Sequence, residues 1–250
     1  MTTDLNDVIM LATDTTRSRA YIQNMVRRGL RPAAVIALAS AKSNLPGQSK
    51  TVLPTTPAHA DDDTLWQAGH FDPNTALADD LAALGAPVEM LDTTNINDPE
   101  VVAAIAARSE SVMIYAGYGG QILRQDVLDT GVDFLHVHGG WVPSFKGSTT
   151  NYFAMIAQDR IGASAIFLTA DLDGGPVIKR ATFPTPPDRT MLDHLHDSAA
   201  RAVVLCDVLE SYAATSAWPS ENPSEDEKDE TYFVIHPVLK HIAVYGSGDD

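Results

Sequence analysis

The chain has 250 residues, 44% of them hydrophobic, enough for one large α/β domain or a domain with a small appendage. Its 17 basic and 33 acidic side chains leave a formal charge of −16, a surface that repels phosphate backbones and argues against nucleic acid as a partner. The single cysteine, Cys206, excludes an intrachain disulfide framework, and the first residues, "MTTDLNDVIMLATD", fit neither a secretion signal nor a membrane span, so the expected location is cytoplasmic.

In chain order, "DVIMLAT" (7–13) is a short apolar run ending in polar turn formers, the pattern of a strand buried on both faces. In "TRSRAYIQNMVRRG", Ala20, Ile22, Met25 and Val26 recur at near-helical spacing, with Gly29 as the stop. "AAVIALA" (33–39) is a second strand, which completes a βαβ unit and implies a parallel pair. Residues 40–73 have no period and several prolines, and read as an irregular surface excursion. There follow "ALADDLAALG" as helix, "PVEMLDT" as strand, "PEVVAAIAAR" as helix with Pro99 near its start, "SVMIYAG" as strand, "QDVLDT" as a helical turn and "DFLHVHG" as strand. The alternation predicts an α/β fold with a doubly wound, mostly parallel sheet. Beyond it, "TNYFAMIAQDR" reads as helix, "ASAIFLTADLDGGPVIKRATFP" as two strands joined through 171–175, and Arg189 to Tyr212 as a long amphipathic helix that buries Cys206. "ENPSEDEKDE" (221–230), with six acids and one lysine, reads as a solvated, mobile linker. The apolar tail after it is expected to dock as an extra strand or arm.

His136 and His138 close the strand "DFLHVH". In a parallel sheet, ligands bind outside the carboxyl ends of the strands, and alternation puts residues i and i+2 on one face, so both imidazoles can enter one crevice. Gly139 and Gly140 permit the turn and a close approach. The plain alternative is a packed, hydrogen-bonded structural histidine, a better fit for a lone His than for a pair before Gly-Gly. Asp173 in "TADLDGGPVI" can simply cap its turn. It also lies 35 residues after His138, enough for loop, helix and return strand to bring it back to the same sheet end as an acid/base partner. His136, His138 and Asp173 together have the ligand types of a His₂-carboxylate metal site. His194 and His196 lie on a helical stretch where i and i+2 diverge by about 200°, and are not expected to be joint ligands. Arg17 and Arg19 open a helix whose N-terminus can face an anion; Lys146, Ser148, Thr149 and Thr150 can meet acceptor hydroxyls or phosphate, or cap the next helix.

"AGYGGQILRQDVLD" (116–129) followed by "DFLHVHGGWVPSFKGSTTNYFAMIAQDRIGASAIFLTADLDGGPVI" (133–178) resembles, in order and spacing, the catalytic domain of the folate-dependent formyltransferases. That group includes the glycinamide ribonucleotide, methionyl-tRNA and amino-sugar formyltransferases and the formyltetrahydrofolate deformylases. The resemblance is clear over Ala116 to Ile178 and looser over the first βαβ. It implies a Rossmann-type fold and transfer of a formyl group from 10-formyltetrahydrofolate to a primary amine, without a metal. His138 matches the family histidine and Asp173 the family aspartate. Tyr118, Gly119, Ile122 and Leu123, with Thr169, Ala170, Asp171 and Leu172, match the walls of the family's folate pocket.

One position departs from the family pattern: His136 stands where the family has asparagine, whose N–H meets the developing oxyanion and is worth about 3–4 kcal/mol in comparable acyl transfer. Three roles are open to His136: an alternative oxyanion donor, the mark of a different one-carbon or carbamoyl-type transfer, or the mark of a fold kept for binding alone. Rival activities are therefore a hydrolase or carbamoyl-type transferase in the same crevice, metal-dependent or not, and a non-catalytic ligand binder. The expected organisation is a formyltransferase-like catalytic domain over 1–215, an acidic linker over 216–231 and a C-terminal arm over 232–250. His138 is assigned as acid/base, Asp173 as its orienter and water holder, and His136 as oxyanion donor. Arg17, Ser148, Thr149 and Thr150 are assigned to the acceptor. The segment after the matched region is short and acidic, unlike an RNA-binding domain, so the acceptor is expected to be a small amine such as an amino sugar, an amino acid or a biosynthetic intermediate. No membrane partner is expected, and a homodimer is compatible with the sequence.

Overall fold

The computed structural model describes residues 2–39, 52–57 and 59–246, so part of the expected excursion, 40–51 and 58, lies outside the described residues. In chain order the elements are β1 (Thr3–Thr13), α1 (Thr16–Arg28), β2 (Leu30–Leu38), α2 (Thr64–Gly69), α3 (Leu77–Leu84) and β3 (Val88–Leu91). Next come α4 (Pro99–Ala106), β4 (Val112–Ala116), α5 (Gln125–Leu128), β5 (Asp133–His138), β6 (Lys146–Gly147) and α6 (Thr150–Gln158). The last are β7 (Arg160–Phe167), β8 (Val177–Pro184), α7 (Asp197–Thr215), β9 (Thr231–Tyr232) and α8 (Pro237–Tyr245). The chain divides into two compact units, residues 1–55 with 71–136 and residues 56–70 with 137–250, and the division falls within β5.

In the first unit the strands run in the order β3-β2-β1-β4-β5, every pair parallel. Val8 to Ala12 of β1 are fully buried, which explains the unbroken apolar run: a central parallel strand has no face left for water. Thr15 caps α1 by accepting from the Ser18 amide, and Gly29 ends it in the left-handed region at φ 68°, the stop the sequence signals. Strands β2 and β3 extend to one side of β1, and β4 and β5 to the other, so the order reverses between β1 and β4. Such a reversal opens a crevice at the strand ends. There the hydroxyls of Thr13 and Ser18 both donate to the Ala116 carbonyl, at 2.7 and 3.2 Å, and fix the start of α1 against the end of β4.

In the second unit β7 follows the end of β5 in the strand order and pairs antiparallel with β8, Ala163 opposite Ala181. The fold is therefore α/β with a mostly parallel sheet. Helix α7 supplies much of this unit's core through Val204, Leu205, Cys206 and Val208, none exposed. The long helix expected from Arg189 begins only at Asp197: a 3-10 turn (Arg189–Met191), capped by Asp188, and a π turn (Leu192–His196) precede it. Within the irregular region, α2 is a short helix capped by Asp63, whose carboxylate accepts from the Trp66 amide at 2.9 Å. Gly69 of α2 lies so close to α7 that a Cβ would stand 2.6 Å from the Ala199 carbonyl oxygen.

The acidic run is mostly exposed but not uniformly solvated. The Arg180 side chain, 4% exposed, pairs with Glu221 and Glu227 and donates to the Val142 carbonyl at 2.8 Å, while its guanidinium lies 4.2 Å from the Trp141 ring centre. A buried guanidinium needs carboxylate partners, and these two come from the linker. The tail contributes both a strand and a helix: β9 pairs parallel with β6, and α8 starts with Pro237 after His236, whose Nδ1 accepts from the Val238 amide.

Candidate active site

The second unit brings His138 and Asp173 together. His138, 5% exposed, ends β5 with its Nε2 2.8 Å from the carbonyl oxygen of Phe145. A carbonyl only accepts, so Nε2 carries the hydrogen and the neutral ring keeps its lone pair on Nδ1. Nδ1 lies 3.3 Å from Asp173 Oδ2. Burial pushes the His138 pKa below the ordinary imidazole value and nearby Arg201 pushes the same way, against the pull of Asp173. The outcome is a neutral imidazole with an accepting nitrogen beside a carboxylate, the arrangement of a general base whose protonated form is stabilised as it forms.

Local geometry explains the glycines. A Cβ on Gly140 would stand 2.5 Å from the Phe145 carbonyl oxygen and 2.8 Å from His138 Nε2, so a side chain there would displace the bond that sets the tautomer. Asp173 sits at φ 48°, a left-handed conformation that aspartate tolerates better than most residues. Its carboxylate accepts from the Gly147 amide at 2.9 Å. Gly175 closes the turn where a Cβ would overlap the Phe167 carbonyl.

His136, two residues before His138 on β5, is half-buried with its ring centre 5.8 Å from that of Tyr115. One ligand atom from each of His136, His138 and Asp173 lies within 4.8 Å of the others, so this donor set could take a divalent cation of the zinc type. By contrast, the imidazole of His196 is fully buried and faces Asp63 at 3.4 Å, while His194, on the same π turn, is exposed.

The expected folate-wall residues fall in two loops. In the first unit the loop carrying Tyr118, Gly119, Ile122 and Leu123 is fastened by Gln121, which donates to the Thr94 carbonyl at 2.7 Å, and by Asn97, which donates to the Ile122 carbonyl at 3.0 Å. Ile122 is 75% exposed, and burial raises the Tyr118 phenol pKa. In the second unit Thr169, Ala170, Asp171 and Leu172 form the strand-to-turn segment, with the Asp171 amide donating to Thr169 Oγ1 and Leu172 54% exposed.

Of the expected acceptor residues, Arg17 stands on the first turn of α1, close enough to act electrostatically on the buried Tyr115 phenol. Arg19 is instead structural: it pairs with Asp14 at 2.5 Å and donates to the Thr75 carbonyl. In the second unit the Thr150 hydroxyl donates to the Gly139 carbonyl, and Thr149 Oγ1 accepts from the Ile235 amide at 2.9 Å, so both anchor the loop that also carries Ser148. Neither hydroxyl serves as the cap of α6. An apolar cavity of about 670 Å³, lined by Ala39, Leu77, Leu81, Val88 and Met90 among others, belongs to the first unit and includes none of the expected site residues.

Sequence reasoning missed a supporting network. Arg201 donates to the Val137 carbonyl at 2.8 Å and to Asp197 at 2.7 Å; Asp197 in turn accepts from Asn151 at 2.9 Å, and the Asn151 oxygen accepts from the Gly162 amide. These groups fix the backbone one residue before His138. The four-residue spacing of Asp197 and Arg201 was the available signal.

A sequence model for the family described as formyl transferase matches residues 6–204. The chain is 33% identical over 108 residues to methionyl-tRNA formyltransferase of Rhodopirellula baltica, covering 42% of this chain and 31% of that protein. To its counterpart in Dechloromonas aromatica it is 35% identical over 127 residues, covering 49% and 41%. The matched region thus spans less than half the length of these curated relatives. Among solved structures, phosphoribosylglycinamide formyltransferase from Anaplasma phagocytophilum is similar at a TM-score of 0.55 and 15% identity, covering 94% of this chain and 100% of that one. A sugar N-formyltransferase from a Shewanella species is similar at a TM-score of 0.54 and 14% identity, covering 95% and 86%. At such identities the structural likeness is one of fold.

Proposed function

Because the chain belongs to the formyl transferase family, we propose that it transfers a formyl group from 10-formyltetrahydrofolate to the primary amine of a small molecule. The observation that carries the reading is the buried His138, its Nε2–H engaged by the Phe145 carbonyl and its Nδ1 beside Asp173. His138 Nδ1 takes the proton the amine loses as its nitrogen bonds to the formyl carbon, and Asp173 stabilises the imidazolium. His136 turns a ring N–H toward the oxygen that gains charge. His138 then returns the proton to the departing folate nitrogen as its bond to carbon breaks. Tyr118, Gly119, Ile122 and Leu123, with Thr169, Ala170, Asp171 and Leu172, would hold the donor; the exposed apolar surfaces of Ile122 and Leu172 suit a flat ring system. Arg17, Ser148, Thr149 and Thr150 would face the acceptor. The charge of −16 favours a small acceptor over a nucleic acid, in the cytoplasm.

Calorimetric titration with a non-transferable 10-formyltetrahydrofolate analogue tests the donor. Binding with a dissociation constant on the order of micromolar is expected; absence of binding at millimolar analogue would overturn the reading. A second reading, metal-assisted hydrolysis, is favoured by the clustering of His136, His138 and Asp173 within 4.8 Å. Stoichiometric zinc in the purified protein, with turnover in the absence of any amine, would select it.

A further inference from the structure

We infer that the C-terminal segment Asp229 to Ile235 is a positioning element of the candidate site, and that Tyr232 is its anchor: the segment holds residues 145–148 in the register that orients His138 and Asp173. The inference rests on those two side chains forming the reactive pair. Residues 205–250 lie outside the family match.

The geometry is carried by four consecutive residues. The peptide unit between Phe145 and Lys146 is planar and trans, so its carbonyl and its N–H point in opposite directions. The carbonyl meets His138 Nε2 at 2.8 Å, and the N–H donates to the Glu230 carbonyl at 3.0 Å. One rigid plane therefore has the imidazole on one edge and the tail on the other. The next N–H, of Gly147, goes to Asp173, and the one after it, of Ser148, goes to the Tyr232 carbonyl at 2.9 Å. Strand alternation thus divides the segment's polar groups between the reactive pair and the tail.

Side chains lock this register. The Phe145 ring stacks on Tyr232 with centroids 5.3 Å apart and planes at 12°, and Phe153 closes on Tyr232 at 4.6 Å. Lys146 pairs with Asp229 at 2.5 Å, and the Glu230 amide donates to the Pro143 carbonyl at 3.1 Å. Gly147, at φ 97°, presses against the Tyr232 carbonyl so closely that any Cβ would overlap it. Thr149 accepts from the Ile235 amide and closes the far end. These contacts all converge on the segment that presents the Phe145 carbonyl and the Gly147 amide.

The test uses the full chain with Tyr232→Leu, which keeps an apolar side chain but not the stack, and Tyr232→Phe, which keeps the stack. Nitrogen-15 NMR of the His138 ring reads the tautomer without substrate. Wild type and Tyr232→Phe are expected to hold the Nε2–H tautomer, and Tyr232→Leu to show a mixture. In formyl-transfer assays Tyr232→Leu is expected to lower kcat about 10- to 100-fold with KM nearly constant, as displacement of a reacting group does. A folded Tyr232→Leu protein with the wild-type tautomer overturns the inference. If that variant does not fold, the wild-type ring decides: a His138 already mixed between tautomers overturns it equally, and a single Nε2–H tautomer retained by Tyr232→Phe upholds it. A tautomer change in a protein that transfers no formyl group would refute the proposed function and leave the positioning intact.

Discussion

The sequence resemblance sets asparagine against His136, and under the proposed function the two side chains differ in what they can supply. An amide at this position donates an N–H without ionising, whereas an imidazole donates only through whichever nitrogen carries hydrogen. If His136 is an oxyanion donor, His136→Asn restores an equivalent donor. The expected result is kcat/KM within about tenfold of wild type, while His136→Ala loses about 10²–10³-fold, the usual effect of removing one such donor. Steady-state assays of the two variants check this; equal losses in both would mean that His136 acts through something other than a donated hydrogen bond. At this scale the sequence was informative about identity and silent about geometry. The pairing of His138 with Asp173 followed from motif and spacing, but the role of the Phe145 carbonyl did not, because a backbone acceptor leaves no trace in residue type.

At the scale of elements, the parallel strands were legible because burial on both faces demands uninterrupted apolar runs, as in Val8 to Ala12. The family match over 6–204 likewise extends beyond the stretch where individual motifs could be recognised. Less legible were elements whose formation depends on a distant partner. In the tail, Pro237 at the first helical turn and Gly246 after the last were helix signals, but the β-branched and aromatic residues between them, Val238, Ile242, Val244 and Tyr245, read equally well as a strand. The acidic run looked like pure linker because nothing local announces that Glu221 and Glu227 meet a buried Arg180. That contact makes a prediction: Arg180→Met removes the partner of both carboxylates and frees residues 221–230. Limited proteolysis is expected to cut this segment several-fold faster than in wild type, and an unchanged cleavage pattern would show that the arginine does not retain it.

For the whole molecule, buried histidines link stability to pH. Burial lowers the pKa of both His138 and His196 in the folded state, whereas the unfolded chain protonates each near the ordinary value of about 6.5. Below that pH the unfolded state binds more protons than the folded one, so stability is greatest above about 6.5 and declines as pH falls through it. Urea unfolding at about pH 8 and about pH 5.5 is expected to give a lower midpoint in acid; an equal or higher midpoint would mean that these imidazoles are not held neutral by the fold. The proposed role of His138 as the proton acceptor requires the same neutrality. The most direct test of that role is a single-turnover reaction with 10-formyltetrahydrofolate and an amine acceptor, following the formylated amine by mass spectrometry, in wild type and His138→Ala. The expected result is a transfer rate about 10²–10⁴-fold lower in the variant with donor binding retained. Transfer at the wild-type rate without His138 would contradict the assignment of this imidazole as the base.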